Sequence, residues 1–215
     1  MTVDRVDSLF ISRTSYLPVV VDGEDAPSGS RIGGRPPIAT ASVGTCPRCA
    51  GPLSYYLTLD MSELSGRPQE VSVFLCKDFG CLLKSSASSH LRLPSSLQLV
   101  VHEPSPRSPS PTVLDSEVEP RALQWGSEAE ESSGPKSPFG GSKVGGQVGL
   151  IQNEGIDDFL AKMGLGFLFQ WNELDFPRGM ALGTYPLASG TLYLFSAFEV
   201  SQPKLDRLEA FWQRA

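Results

Sequence analysis

Histidine is scarce in this sequence. There are two in 215 residues, His90 and His102, both in serine- or proline-rich surroundings. That leaves little for imidazole chemistry, and no H-E-x-x-H, G-x-S-x-G or Walker A pattern occurs. Basic residues are also in deficit, with 18 Lys and Arg against 24 Asp and Glu and a formal net charge of -6. A chain that grips phosphates usually carries a basic face, so nucleic acid is not an expected partner. Long apolar runs are missing too: none approaches the ~20 residues of a spanning helix, so a membrane is not expected either. The stretch Met1 to Phe10 holds Asp4, Arg5 and Asp7 and no apolar core, and does not read as a signal peptide. The expected setting is the cytoplasm. There the four cysteines are more plausible as metal ligands than as disulfides.

What is present is enough apolar material, 40% of residues, for a sizeable core. Tyr16-Leu17-Pro18-Val19-Val20-Val21 reads as a strand placed at a sheet edge by Pro18, with Asp22-Gly23 turning the chain. Leu53 to Leu59, Val71 to Leu75 and Leu97 to Val101 are rich in aromatic and β-branched residues and read as strands. Gly166 to Trp171 and Thr191 to Phe195 read likewise. Ile156 to Met163 predicts a short helix ended by Gly164, with Phe159, Leu160 and Met163 on one face. From Gln202 onward, Leu205, Leu208, Phe211 and Trp212 recur at helical spacing and predict a helix packed on the core. Residues 102–141 are rich in proline, serine and acidic side chains, a composition that buries too little apolar surface to offset its ordering entropy. This stretch reads as a linker, pinned in places by Leu123 and Trp125, and its Ser-Pro pairs read as spacer.

Two segments are alike. Ser30-Arg31-Ile32-Gly33-Gly34 recurs as Ser142-Lys143-Val144-Gly145-Gly146. About twenty residues after each comes a strand, then an acidic segment (Asp60 to Leu64; Glu173 to Phe176), then a partner strand. A shared order of glycine turn, strand, acidic turn and strand points to duplication. The expected architecture is mainly β, within the α+β class: two pseudo-repeated antiparallel halves with a few short helices. The first half covers 1–101, the linker 102–141 and the second half 142–215.

The cysteines read C-x2-C, then C-x4-C: Cys46 and Cys49, then Cys76 and Cys81. A C-x2-C knuckle turns both thiolates toward one point, and Pro47 and Gly51 suit its tight turn. Cys49 stands just before the strand at Leu53, and Cys76 follows the strand ending at Leu75. If these strands pair antiparallel, both cysteine pairs meet at one end of the hairpin. Four thiolates would close a tetrahedral zinc site with no open position, a structural rather than a catalytic site. Two other readings stand beside it: a redox pair at Cys46 and Cys49, which would be expected to open a helix rather than a strand, and inert buried thiols. The paired carboxylates Asp157 with Asp158 and Glu173 with Asp175 read as helix-dipole and turn residues rather than catalytic pairs.

Together these residues carry a resemblance. Ser142 to Gln152 resembles the K-hydrophobic-G-G-x-P-x-x-x-Q signature of the bacterial YwqG-like family, and Phe167-Leu168-Phe169-Gln170 resembles that family's hydrophobic-L-x-Q strand. The first half, with Ile32-Gly33-Gly34-Arg35-Pro36-Pro37, the C-x2-C pair, Leu53 to Leu57 and Phe74-Leu75-Cys76, is similar to the programmed cell death protein 2 family. The resemblance implies a β-rich fold of two related halves, no catalytic activity, and work through protein contacts. The eukaryotic relatives attend a ribosomal protein before assembly, and some bacterial relatives act as immunity proteins against toxins. The sequence departs from the pattern at Gln147-Val148, where a proline pair would stand, and at Tyr56-Leu57, where a glutamine would. Its second half has no cysteine at all. The acidic balance fits a basic partner protein, and the expected role is that of an adaptor, chaperone or immunity protein.

Overall fold

The computed structural model describes residues 14–21, 29–84, 96–108, 113–130, 141–151, 156, 160, 162–199 and 202–214. His90, the Asp22-Gly23 turn and the Asp157–Asp158 pair lie outside them. Eleven strands form one sheet: β1 (Thr14–Val21), β2 (Arg31–Ile32), β3 (Leu53–Asp60), β4 (Glu70–Cys76), β5 (Leu97–His102), β6 (Val113–Leu114), β7 (Arg121–Glu130), β8 (Lys143–Gly145), β9 (Leu165–Asn172), β10 (Thr191–Glu199) and β11 (Gln202–Gln213). Their order across the sheet is β11-β10-β9-β8-β1-β7-β2-β3-β4-β5, all antiparallel, with β6 set parallel beside β3. The sheet curls until β11 comes alongside β5, with no ladder joining them among the described residues. The fold is mainly β, as the sequence predicts. Among the described residues no helix is long and apolar enough to cross a membrane.

The duplicated motif lands on equivalent places. Arg31 and Ile32 pair with Thr58 and Leu57, while Lys143 and Val144 pair with Gln170 and Phe169. The serine of each motif does the same job: Ser30 Oγ accepts from Asp60 N at 2.8 Å, and Ser142 Oγ accepts from Asn172 N at 2.8 Å. Each half also has a bulge at the same point, between Tyr55 and Leu57 in β3 and opposite Leu194 and Phe195 in β9. Gly33, Gly34, Gly145 and Gly146 all take positive φ, between 69° and 76°. At Gly33 a side chain is excluded outright, since a Cβ would sit 2.4 Å from the carbonyl oxygens of Val118 and Glu119.

Three expectations need correction. The stretch 102–141 is not simply a linker, because it contains β6 and β7. In β7, Leu123 and Trp125 point to the core while Gln124 and Glu128 are exposed, an alternation that the prolines on either side obscure. The strand β1 is not at an edge but between β7 and β8. Pro18 is tolerated there beside a register shift in the β1–β7 ladder, where Gly126 admits Leu17 so closely that a Cβ would meet its carbonyl at 2.8 Å. The tail is a strand, not a helix. Ser196 pairs with Leu208 and Ala197 with Lys204, so Leu205, Asp206 and Arg207 bulge out of β11. Those three residues shift the phase of the alternation and make the apolar spacing look helical.

These placements give the duplication a specific form. β1 and β7 each stand first in their repeat. β1 pairs with β8 of the second repeat, and β7 pairs with β2 of the first. The halves have exchanged their first strands, and β1 and β7 pair with each other at the centre. Each half is thus completed by a strand from the other, with β7 standing before the second motif as β1 stands before the first.

The inner face of the curled sheet carries one core shared by both halves, with Leu57, Val73, Phe169, Trp171, Leu192 and Trp212 among its members. The outer faces have separate covers. In the first half Leu53, Tyr55 and Phe74 pack with Val43, Cys46, Cys76 and Cys81. In the second, Tyr193, Phe195 and Phe211 pack with Ile156 and Leu160. Ile156, Leu160 and Lys162 are helical, in accord with the predicted helix, but Met163 is exposed rather than on its buried face.

Candidate metal centre

The antiparallel pairing of β3 with β4 sets Leu53 opposite Cys76, so the start of one strand and the end of the other share one end of the hairpin. The knuckle before β3 is closed by Cys46 N donating to Gly51 O at 2.8 Å and Ala50 N donating to Cys46 O at 2.9 Å. Ala50 takes φ 57°, which turns the chain back on itself. On the other side Lys77 N donates to Pro52 O at 3.0 Å, tying the end of β4 to the same loop. Asp78 then caps the short helix Phe79–Leu83 by accepting from Cys81 N at 3.1 Å, which aims the Cys81 side chain inward.

The four sulfur atoms all lie within 4.8 Å of one another. Cys46 and Cys81 are 3.9 Å apart, and Cys49 and Cys76 are 3.5 Å apart. A tetrahedral thiolate-bound ion with bonds of about 2.3 Å places its sulfurs about 3.8 Å apart, so the cage is already near the size a metal requires. Cys46, Cys76 and Cys81 are buried and Cys49 is exposed. Burial pushes the Cys76 thiol well up and the Cys81 thiol to about 11, while the Gly51 N–H holds Cys49 below its ordinary value. Buried thiols of this kind ionise when a cation supplies the compensating charge, which is what a metal does. The structure thus brings together all four cysteines that the spacing singled out, in a set that could hold a metal ion.

A second polar cluster was not legible beforehand. His102 is not a solvated loop residue: it ends β5, is buried, and its Nε2 lies 2.8 Å from Ser72 Oγ. Glu70 Oε2 lies 3.8 Å from His102 Nδ1 and is held by Arg31 through two bonds of 3.1 and 3.2 Å. Burial raises the Glu70 carboxyl against the pull of Arg31 and His102. A serine, a histidine and a glutamate in a row invite comparison with a hydrolase triad. The geometry argues otherwise: Ser72 has no exposed surface, and His102 Nδ1 lies 2.8 Å from Glu103 O. The cluster joins β2, β4 and β5 and is closed to substrate. The signal that could have found it is Arg31 itself, the cation inside the repeated motif.

The acidic turn of the second half is likewise not a surface feature throughout. Glu173 is fully buried and accepts from Tyr56 Oη of the first half at 3.1 Å, from Leu187 N at 2.8 Å and from Ser189 N at 3.0 Å. Ala188 and Ser189 both take positive φ to present those amides. Burial raises the Glu173 carboxyl to about 7.

Among the described residues two clefts lie near these features. One, of about 960 Å³, lies along the open seam between β5 and β11, lined by Arg67, Gln69, Val101, Glu199, Lys204 and Leu205 among others. The other, of about 230 Å³, runs beside the metal centre between Cys76, Phe79 and Leu82 of the first half and Tyr185 and Pro186 of the second. No protein-family model matches the sequence, and no curated protein matches it.

Proposed function

We propose that this chain is a non-enzymatic protein-binding module whose first half is held together by a structural zinc ion on Cys46, Cys49, Cys76 and Cys81. The observation that carries the reading is the closed donor set. Four thiolates fill a tetrahedron, so the ion would have no position left for substrate or water. Tetrahedral sulfur coordination selects zinc or an iron–sulfur centre, and a single compact S4 cage spanning a hairpin end suits one zinc. Free thiols of this kind belong in a reducing compartment such as the cytoplasm.

The partner is another protein. A net charge of -6 favours a basic one, recruited by long-range attraction. The resemblance of the short motifs above to the YwqG-like and programmed cell death protein 2 families directs the choice of partner to test: a ribosomal protein for a chaperone role, a cationic toxin for an immunity role. The enzyme alternative finds its best candidate in Ser72, His102 and Glu70, of which Ser72 and Glu70 have no exposed surface.

Two measurements test the reading. Elemental analysis of protein purified without chelator should give one zinc per chain, and iron or no metal would overturn the zinc assignment. Affinity capture at low ionic strength should recover a basic protein partner, released as salt is raised. Recovery of no partner, or a partner indifferent to salt, would overturn the binding reading.

A further inference from the structure

The four ligands are not equally reachable. Cys46, Cys76 and Cys81 are 2%, 3% and 7% exposed, whereas Cys49 stands at the exposed tip of the knuckle. An oxidant must approach a sulfur directly to transfer oxygen to it, so Cys49 is where a small peroxide meets the cage. A thiol placed to resolve the product is Cys76, whose sulfur is 3.5 Å from that of Cys49. A disulfide needs about 2.05 Å, a closure of roughly 1.5 Å that a loop turning through Ala50 and Gly51 can supply. The surroundings of Cys76 give the step a consequence. Cys76 lines the smaller cleft together with Phe79 and Leu82 of the helix that Cys81 anchors.

We infer that the metal centre is a peroxide-responsive clip, in which oxidation enters at Cys49, forms a Cys49–Cys76 disulfide and releases the ion. This rests on the zinc reading above. In the first step the Cys49 thiolate attacks a peroxide oxygen, the O–O bond breaks, and Cys49 becomes a sulfenic acid as hydroxide leaves. In the second, the Cys76 thiolate attacks that sulfur, the S–O bond breaks, the S–S bond forms and a second hydroxide leaves. Two protons convert the hydroxides to water. Two thiolates lose two electrons, one hydrogen peroxide is reduced, and the ion is left with only Cys46 and Cys81, too few to hold it.

The two cross-links differ in what they hold. The disulfide joins the knuckle before β3 to the end of β4, so the hairpin end stays stapled. Cys81 is not part of it, so the helix Phe79–Leu83 loses its tether and the wall of the smaller cleft loosens. Oxidation would therefore alter the surface beside Tyr185 and Pro186 without unravelling the sheet.

The experiment uses the full chain, first assayed for zinc and then treated with hydrogen peroxide from equimolar to roughly tenfold excess. Released zinc is read with a chromophoric chelator, and disulfides are mapped by non-reducing peptide mass spectrometry. The expected result is one zinc released per peroxide consumed, a Cys49–Cys76 linked peptide as the first disulfide, and faster amide exchange across residues 78–84 than across β3 and β4. Dithiothreitol with added zinc should restore the starting form. Zinc held through tenfold peroxide, or a first disulfide at Cys46–Cys81 or Cys46–Cys49, overturns this inference and leaves the zinc reading intact. A chain with no zinc before treatment overturns the zinc reading and this inference with it.

Discussion

The two halves solve the same packing problem with different chemistry. Each curls a hairpin whose outer face must be covered: β3 with β4 in the first half, β9 with β10 in the second. Position by position the hairpins correspond. Tyr55 and Phe74 pair on the outer face with ring centres 5.8 Å apart, and Phe167 and Phe195 do so in the second half at 5.8 Å. The difference comes at the hairpin end, where Leu53 pairs with Cys76 and Leu165 pairs with Ala197. The second half covers its outer face with Ile156 and Leu160 and extends its aromatic stack through Phe211, 5.4 Å from Phe195. The first half has Val43 and the thiols of Cys46, Cys76 and Cys81 there. A small apolar cluster and a cysteine set that could hold a metal ion thus occupy corresponding places on one scaffold. A metal on that set would make its cover depend on conditions, since thiolate binding contributes to folding directly and responds to chelators and oxidants.

The sharpest way to break this comparison is to substitute equivalent positions. Cys76→Ser should abolish metal binding and unfold the first-half hairpin, because an apparent binding free energy on the order of 10 kcal/mol goes with the ion. Ala197→Ser at the matching place should cost no more than about 1–3 kcal/mol, the burden of one buried hydroxyl. Thermal melts with metal analysis check both. Equal effects would contradict the division of labour between the halves.

The next effect concerns the motif cations. Arg31 is paired with buried Glu70. The register gives Thr191 the place that Glu70 holds, opposite Asn172 where Glu70 is opposite Asp60. Glu70→Ala would strand a buried guanidinium and should cost about 3–5 kcal/mol, whereas Thr191→Ala should cost about 1 kcal/mol. Chemical denaturation of the two variants measures the gap.

A pH effect follows from the carboxylate that spans the halves. The Glu173 carboxyl is raised to about 7 in the folded chain, against about 4.3 when unfolded. The folded state therefore holds the extra proton more tightly. This group's contribution to stability is greatest below about pH 4.3 and is lost as pH rises through 7. Glu173→Gln should flatten that slope, so the difference between wild type and variant should change by a few kcal/mol between pH 5 and 8. Urea midpoints across that range decide it, and a pH-independent difference would show that Glu173 does not titrate there.

The smallest effect tests the duplication most finely. Ser30→Ala and Ser142→Ala each remove one 2.8 Å bond to the amide that closes the strand, Asp60 N or Asn172 N. Each should cost about 1 kcal/mol, and the two costs should match within a few tenths. A large disparity would mean the shared geometry does not carry a shared role.

The contrast between halves also explains what the sequence could tell. The duplication was legible because its signature is local: a serine, a cation, an apolar residue and two glycines at positive φ. The convergence of the four cysteines was legible for a related reason, since cysteine spacing and two strand patterns together specify one hairpin end. The exchange of first strands was not, because it depends on which half a strand pairs with, and β1 and β7 carry no mark of their partners. The strand β7 was hidden by the prolines around it, and β11 by a three-residue bulge that imitates a helical period. The buried state of His102 and Glu173 was not legible either, since each needs partners more than ten residues away, Ser72 and Tyr56.

In the first half a metal on the four cysteines would do what apolar side chains do in the second. The direct test is amide hydrogen exchange on the full chain before and after removal of metal by a strong chelator under reducing conditions. The account predicts a large loss of protection at residues 46–60 and 70–84, with β9 and β10 close to their starting values, and recovery on adding zinc. Unchanged protection in the first-half hairpin after complete metal removal, or equal loss in both hairpins, would contradict it.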